Sequence, residues 1–164
     1  MRVIPFPLPL NIGTDIVHIP RILRLITSRN GSTKTYLDRF TRRILCDQEQ
    51  EYFRSRFLKH QLPHSPSLLH SDPPTAAERY AMARWLAERF AAKEAARKAA
   101  TGGAAAISWK GVMVRVEVEA DGRPEVVYIK DGGTMGEVGK LSISHDGEYV
   151  IATVLASGSS DPPG

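Results

Sequence analysis

The stretch AAERYAMARWLAERFAAKEAARKAATGG, residues 76–103, constrains the fold more than any other. Apolar and small residues recur at helical spacing from near Ala76, and Gly102 with Gly103 supplies a stop, so the sequence predicts one long helix. On a wheel of about 100° per residue, Met82, Trp85, Leu86 and Phe90 form a core-facing stripe in its first half. Arg89 falls at the border of that stripe, where a guanidinium needs an anion or carbonyls for company. In the second half Ala91, Ala92, Ala95, Ala96 and Ala99 share one side, suited to close packing. Lys93, Glu94, Arg97 and Lys98 fall on the other, within an arc of roughly 140°. One reading is a solvated face with a Glu94–Lys98 pair at i,i+4 spacing, worth only about 0.2–0.5 kcal/mol. The other is a site-lining face that sets one carboxylate among three cations.

Ahead of this helix, Leu10 to Val17 (LNIGTDIV) reads as a short strand with Asp15 its one charge. A carboxylate is costly to bury alone, so Asp15 either takes hydrogen bonds at a strand end or holds a metal or a cation. Pro20 and the spacing of Ile22, Leu25 and Ile26 predict a helix to about Ser28, with Arg21, Arg24 and Arg29 along it. Asn30, Gly31 and Ser32 break the chain. Helices are expected over Thr35–Thr41 and Asp47–Lys59, the latter with Asp47 as N-cap. The proline-rich residues 60–75 read as a flexible insertion, in which the irregular spacing of His60, His64 and His70 argues against a metal site.

After Gly103 the period changes to two. Val112, Val114, Val116 and Val118 alternate with polar or exposed positions, and Glu125–Lys130 returns across an Asp121-Gly122-Arg123-Pro124 turn. Gly132, Gly133, Gly136 and Gly139 read as a loop. Lys140–His145 and Glu148–Ala156 form a hairpin around Asp146-Gly147, and Ser157–Gly164 reads as a disordered tail. Helices followed by an antiparallel sheet make an α+β plan, one domain over residues 1–156 with a long helix packed on a small antiparallel sheet.

The length of 164 residues is enough for one domain with a sizeable core. Cys46 is the only cysteine, which excludes an internal disulfide and a cysteine zinc cluster. No apolar run approaches the ~20 residues that span a bilayer, so no membrane role is expected. The N-terminal MRVIPFPLPLNIG is broken by prolines and has neither a secretory nor a transit pattern, which leaves a mitochondrial or a cytoplasmic setting. A formal charge of +4 favours anionic partners. A nucleic-acid-binding domain is disfavoured, because the cations are not interleaved with aromatic stacking platforms.

Asp15 and Glu94, on separate elements, suit a hard cation such as Mg²⁺, or Mn²⁺ with the same oxygen donors. Lys93, Arg97 and Lys98 suit phosphates, and the combination points to phosphoryl-type transfer. His145, after Ser142 and Ser144, marks a third polar segment at a strand end. A P-loop, a Rossmann fingerprint and a nucleophile elbow are all missing.

The same segments carry a resemblance. GTDIVHIPRI (13–22), RFAAKEAARKAATGG (89–103) and LSISHDGEYVIATV (141–154) resemble the signature segments of the holo-acyl-carrier-protein synthases, of the 4′-phosphopantetheinyl transferase superfamily. RFTRRILCDQEQEYF (39–53) and the Gly-Arg-Pro turn are similar to further family segments, in the family's order. The resemblance implies the 4′-phosphopantetheinyl transferase fold and a reaction that moves the phosphopantetheine arm of coenzyme A onto a serine of apo acyl carrier protein. Adenosine 3′,5′-bisphosphate would be released, in support of fatty acid synthesis.

By the same resemblance Asp15 and Glu94 would hold Mg²⁺, and Lys98 would contact the pyrophosphate. His145, with Ser144 beside it, would hold the coenzyme A diphosphate, Arg89 and Gly103 would support the coenzyme pocket, and Arg21 with Arg24 would meet the acidic carrier protein. Glu94 is the first choice of general base and Asp15 the second. The chain departs from the family pattern after Lys98-Ala99-Ala100, where Thr101 replaces a glycine and Gly103 alone matches. The long segment 56–77 resembles the fungal or mitochondrial branch. A homotrimer, as in many bacterial members, is one assembly the resemblance implies, and a monomer is the other. A non-catalytic carrier-protein-binding module of the same fold is the alternative; the joint presence of Asp15, Glu94, Lys98 and His145 argues against it.

Overall fold

The structure, a computed structural model, describes residues 1, 3, 4, 6–27, 33–58, 74–116 and 122–158. The element order is β1 (Leu10–His18), α1 (Ile19–Thr27), α2 (Thr33–Ile44), α3 (Asp47–Phe57), α4 (Ala76–Ala99), β2 (Val112–Val116), β3 (Pro124–Lys130), β4 (Met135–Asp146) and β5 (Tyr149–Ser157). The strands form one antiparallel sheet in the order β1-β5-β4-β3-β2, with α4 laid across β1 and β5 and α1 against α4. The expected α+β plan of a long helix on an antiparallel sheet is what is seen.

α4 starts where its chemistry says it should. Thr75 Oγ1 accepts from the Glu78 N–H at 3.2 Å and Glu78 Oε2 accepts from the Thr75 N–H at 2.7 Å, a reciprocal capping box. At the other end Gly102 (φ +82°) and Gly103 (φ +76°) turn the chain in a region that side chains with a Cβ rarely enter. Between them Ala91, Ala92, Ala95, Ala96 and Ala99 are all fully buried, as the wheel predicts. This small-residue side lets β1 come unusually close. A Cβ built on Gly13 would stand 2.0 Å from Ala95 O and 2.8 Å from Ala99 N. Glycine is required there, and the register of β1 along α4 is fixed by it.

Several local expectations change. α2 runs from Thr33 to Ile44, longer than Thr35–Thr41, and α3 ends at Phe57. The N-cap of α3 is Cys46, with Asp47 its first residue, and Glu49 Oε2 accepts from the Cys46 N–H at 3.0 Å. Gly136 and Gly139 belong to β4 and are not loop residues, because neighbouring side chains on β3 fill the space their own would take. A Cβ on Gly136 would meet Val127 Cγ1 at 2.5 Å, and one on Gly139 would meet Val126 Cγ2 at 2.8 Å. Ser157 closes β5 and is not tail, and the Gly158 N–H donates to Pro9 O at 2.7 Å. Val118, His60, His64, His70 and residues 159–164 lie outside the described residues. Among the described residues no helix is long and apolar enough to cross a membrane.

Candidate active site

Alternation along β1 turns Gly13, Asp15 and Val17 toward α4 and leaves Ile12, Thr14 and Ile16 on the outer face. Asp15 therefore emerges at the seam between strand and helix, where Lys98 meets it. Lys98 Nζ donates to Asp15 Oδ1 at 2.8 Å and to Thr14 O at 2.9 Å. The expected Glu94–Lys98 pair does not form, because the lysine has a strand carboxylate within reach. Glu94, one turn earlier on the same face, is held instead by Arg97 Nη1 at 2.8 Å.

Arg97 does more than neutralise Glu94. Its Nε donates to Ile107 O at 2.9 Å and its Nη2 to Ala104 O at 2.6 Å, while the guanidinium lies 4.8 Å from the centroid of the Trp109 ring. The turn after α4, which lacks one family-pattern glycine, is thus tied to the helix by a side chain. Gly103 sits in that turn and donates its N–H to Ala100 O at 2.8 Å.

Lys93 corrects the wheel. It is not on the open face for phosphates but is fully buried, with Nζ 2.5 Å from Glu49 Oε2, 2.6 Å from Val112 O and 3.2 Å from Trp109 O. Glu49 in turn accepts from the Val114 N–H at 3.0 Å. Burial pushes the Lys93 ammonium below the usual lysine range, and Glu49 opposes that shift. The wheel placed Lys93 correctly in angle; it could not know that α3 delivers a carboxylate to that side.

His145 ends the helix-facing row of β4 and reaches α4 through Glu88, with Nε2 2.9 Å from Glu88 Oε1. The same carboxylate lies 3.2 Å from Arg84 Nε and 3.5 Å from Arg89 Nη1. Arg89 also lies over the Trp85 ring at 3.8 Å, and its buried Nε has no hydrogen-bond partner among the described residues. Desolvation pulls the Arg89 guanidinium below the ordinary arginine range, against the pull of Glu88. An aromatic face and one carboxylate are the company its border position demands.

Asp15, Glu94 and Lys98 are therefore gathered on one seam, with Arg89 on the same helix toward its N-terminus and His145 brought there from β4 through Glu88. Ser144 is not brought to them, since strand alternation turns it to the face opposite His145, beside Ile151. Arg21 and Arg24 are exposed on α1, three residues apart and so on one side of that helix. Glu88 and Glu49 were missed by sequence reasoning. Glu88 follows Arg84 at ion-pair spacing, but nothing in the sequence ties it to His145; the buried capping glutamate of α3 gave no sign of its lysine.

The two carboxylates fit a hard divalent cation in donor chemistry: both are oxygen donors, on elements that Gly13 brings into backbone contact. Among the described residues no group of three or more His, Cys, Asp and Glu side chains gathers as a metal cluster. A cation held by Asp15 and Glu94 would complete its shell with water and substrate oxygens, as Mg²⁺ commonly does.

Residues 11–154 match the family model of the 4′-phosphopantetheinyl transferase superfamily. The chain is 55% identical over 171 aligned residues to 4′-phosphopantetheinyl transferase B, mitochondrial, of Aspergillus fumigatus, covering 96% of this chain and 100% of that protein. In fold it is similar to a holo-ACP-synthase from Plasmodium yoelii, with TM-score 0.59, 23% identity and coverage of 92% and 95% of the two chains. A holo-(acyl-carrier-protein) synthase from Bacillus anthracis, solved in complex with CoA (3′,5′-ADP), aligns with TM-score 0.53 and 26% identity, covering 91% of this chain and 96% of that one.

Proposed function

Since this chain belongs to the 4′-phosphopantetheinyl transferase superfamily and is a phosphopantetheinyl transferase of the holo-acyl-carrier-protein synthase type, we propose that the seam between α4 and β1 is its active site. The enzyme moves phosphopantetheine from coenzyme A to carrier proteins. The finer reading is that the acceptor is a serine hydroxyl of apo acyl carrier protein, that the reaction needs Mg²⁺, and that it serves fatty acid synthesis. Likeness to a fungal protein whose name places it in mitochondria supports a mitochondrial setting.

Asp15 and Glu94 hold the cation in this reading, which when bound supplies charge neutralisation at the pyrophosphate. Glu94 takes the serine proton, directly or through a water, with Asp15 the second choice. The serine oxygen forms a bond to the phosphorus that carries the pantetheine arm. The pyrophosphate P–O bond breaks, and adenosine 3′,5′-bisphosphate leaves with the electron pair. Lys98 neutralises charge that grows on the leaving phosphate. Arg89 and His145 bind the coenzyme, while Gly103 lets the turn after α4 approach it. Arg21 and Arg24 meet the acidic carrier.

The observation that carries this reading is the Asp15–Lys98 ion pair, which brings a strand carboxylate onto the helix face that holds Glu94. Residues 1–156 are taken as one catalytic unit. The outer face of β1 and β5 supports self-association, as a trimer for instance: Ile12 faces Leu155 and Ile16 faces Ile151 across the ladder, and all four are exposed. The test is chromatographic measurement of adenosine 3′,5′-bisphosphate from coenzyme A and apo acyl carrier protein. Release with Mg²⁺ that stops with EDTA and in Glu94→Ala is expected. Undiminished release by a folded Glu94→Ala would overturn the assignment.

A further inference from the structure

Among the described residues, Glu88 is the α4 carboxylate that contacts the C-terminal end of β4, and no role for it follows from the reaction described above. His145 is the penultimate residue of β4, one before Asp146, which pairs with Tyr149 across the Gly147-Glu148 turn. Its side chain is about one-third exposed (31%), yet Nε2 makes a 2.9 Å contact to Glu88 Oε1. An ionised carboxylate only accepts, so Nε2 is the donor, and Nδ1 is the nitrogen left for a ligand. Glu88 is itself steadied on the helix side by Arg84 at 3.2 Å and Arg89 at 3.5 Å. Of its three contacts among the described residues, the one to His145 is the shortest and the one that crosses from helix to sheet.

We propose that Glu88 is a positioning residue for His145: it fixes the ring orientation and selects Nδ1 as the nitrogen presented to coenzyme A. The proposal rests on the reading of His145 as a coenzyme contact. A carboxylate that orients an imidazole through one nitrogen while the other works is a recurrent arrangement, at metal sites and in catalytic triads alike. Here the carboxylate comes from the same helix as Glu94 and Lys98, so the imidazole is referenced to the seam rather than to the hairpin that bears it. Arg84 and Arg89 hold the carboxylate from the helix side.

The experiment is calorimetric coenzyme A binding, with the KM for coenzyme A, on the full-length protein and its Glu88→Ala, Glu88→Gln, His145→Ala and Glu88→Ala/His145→Ala variants. Glu88→Gln is included because its amide oxygen still accepts from Nε2 while the negative charge is gone. Expected is a roughly tenfold loss of affinity in Glu88→Ala, a loss at least as large in His145→Ala, and no further loss in the double variant. Glu88→Gln should stay within about threefold of wild type, which a demand for charge alone would not allow. His145→Ala impaired while Glu88→Ala binds normally, or additive losses in the double variant, would overturn the positioning role and leave the coenzyme contact standing. Normal binding by His145→Ala would overturn both.

Discussion

Lys93 Nζ lies 2.5 Å from Glu49 Oε2, and both side chains are buried beneath the turn that carries Trp109. The ammonium also holds the Trp109 and Val112 carbonyls, so α3, α4 and the start of β2 are pinned at one point next to Glu94. Breaking a buried pair leaves an uncompensated charge. Lys93→Ala is expected to lower unfolding stability by about 3–5 kcal/mol in denaturant melts. Lys93→Met paired with Glu49→Gln should recover part of that loss, since the amide oxygen can still accept from the Val114 or Cys46 N–H. A double variant no better than Lys93→Ala would show that the pair's charges are not what matters.

Arg97 joins Glu94 to two carbonyls of the following turn and stacks on Trp109. A lysine has neither the fork nor the plane to replace it. Arg97→Lys should therefore resemble Arg97→Ala, with kcat/KM for coenzyme A lowered roughly 10- to 100-fold at little cost in fold. Steady-state kinetics at saturating carrier protein decides this; near-normal activity in Arg97→Lys would mean that charge at Glu94 suffices.

Gly13 tolerates no Cβ, because Ala95 O and Ala99 N stand where it would go. Gly13→Ala must push β1 off α4, which overpacking data put at about 1–3 kcal/mol. The same shift would carry Asp15 away from Lys98, so activity should fall further than stability. Melting temperature and turnover, measured together, check this. Equal stability and equal turnover would contradict the close seam.

Tyr128 is buried and donates its hydroxyl to Ala96 O at 2.8 Å. Burial first, and Glu137 second, push its phenol up to about 12. The folded state then holds this proton more tightly than the unfolded chain, whose tyrosines titrate near pH ~10. The contribution is complete below about pH 10 and is lost as pH rises toward about 12. Tyr128→Phe should be less stable at neutral pH by about 1 kcal/mol, from the lost hydrogen bond, and should lose less on going alkaline. Denaturant midpoints at a series of alkaline pH values test the difference in slope.

Much of the fold was legible because local chemistry and tertiary need agree in it. The C-terminal end of α4 carries its own punctuation in Gly102 and Gly103, and the alanine side of the helix announces close packing, while the Thr75–Glu78 capping box at its start emerges only in the structure. The β4–β5 hairpin likewise follows from alternation around Asp146-Gly147. What sequence could not give was the partner brought from elsewhere. Lys93 reads as one more surface cation until α3 supplies Glu49, and Glu94 reads as a partner of Lys98 until Asp15 takes the lysine. Gly136 and Gly139 look like loop residues because the β3 side chains that occupy their space are distant in sequence. At the candidate site, residue type and motif single out Asp15, Glu94 and Lys98, which the fold gathers on one seam, whereas Glu88 has no signal beyond its spacing from Arg84. Ser144 was drawn in by adjacency to His145, which in a strand means the opposite face.

The most direct measurement is the intact mass of an apo acyl carrier protein after incubation with this enzyme, coenzyme A and Mg²⁺, beside EDTA, Asp15→Ala and Glu94→Ala controls. A gain of one phosphopantetheine group, lost in all three controls, is the expected result. A carrier that gains the group equally well with both carboxylates removed, by variants shown to be folded, would contradict an active site at the α4–β1 seam.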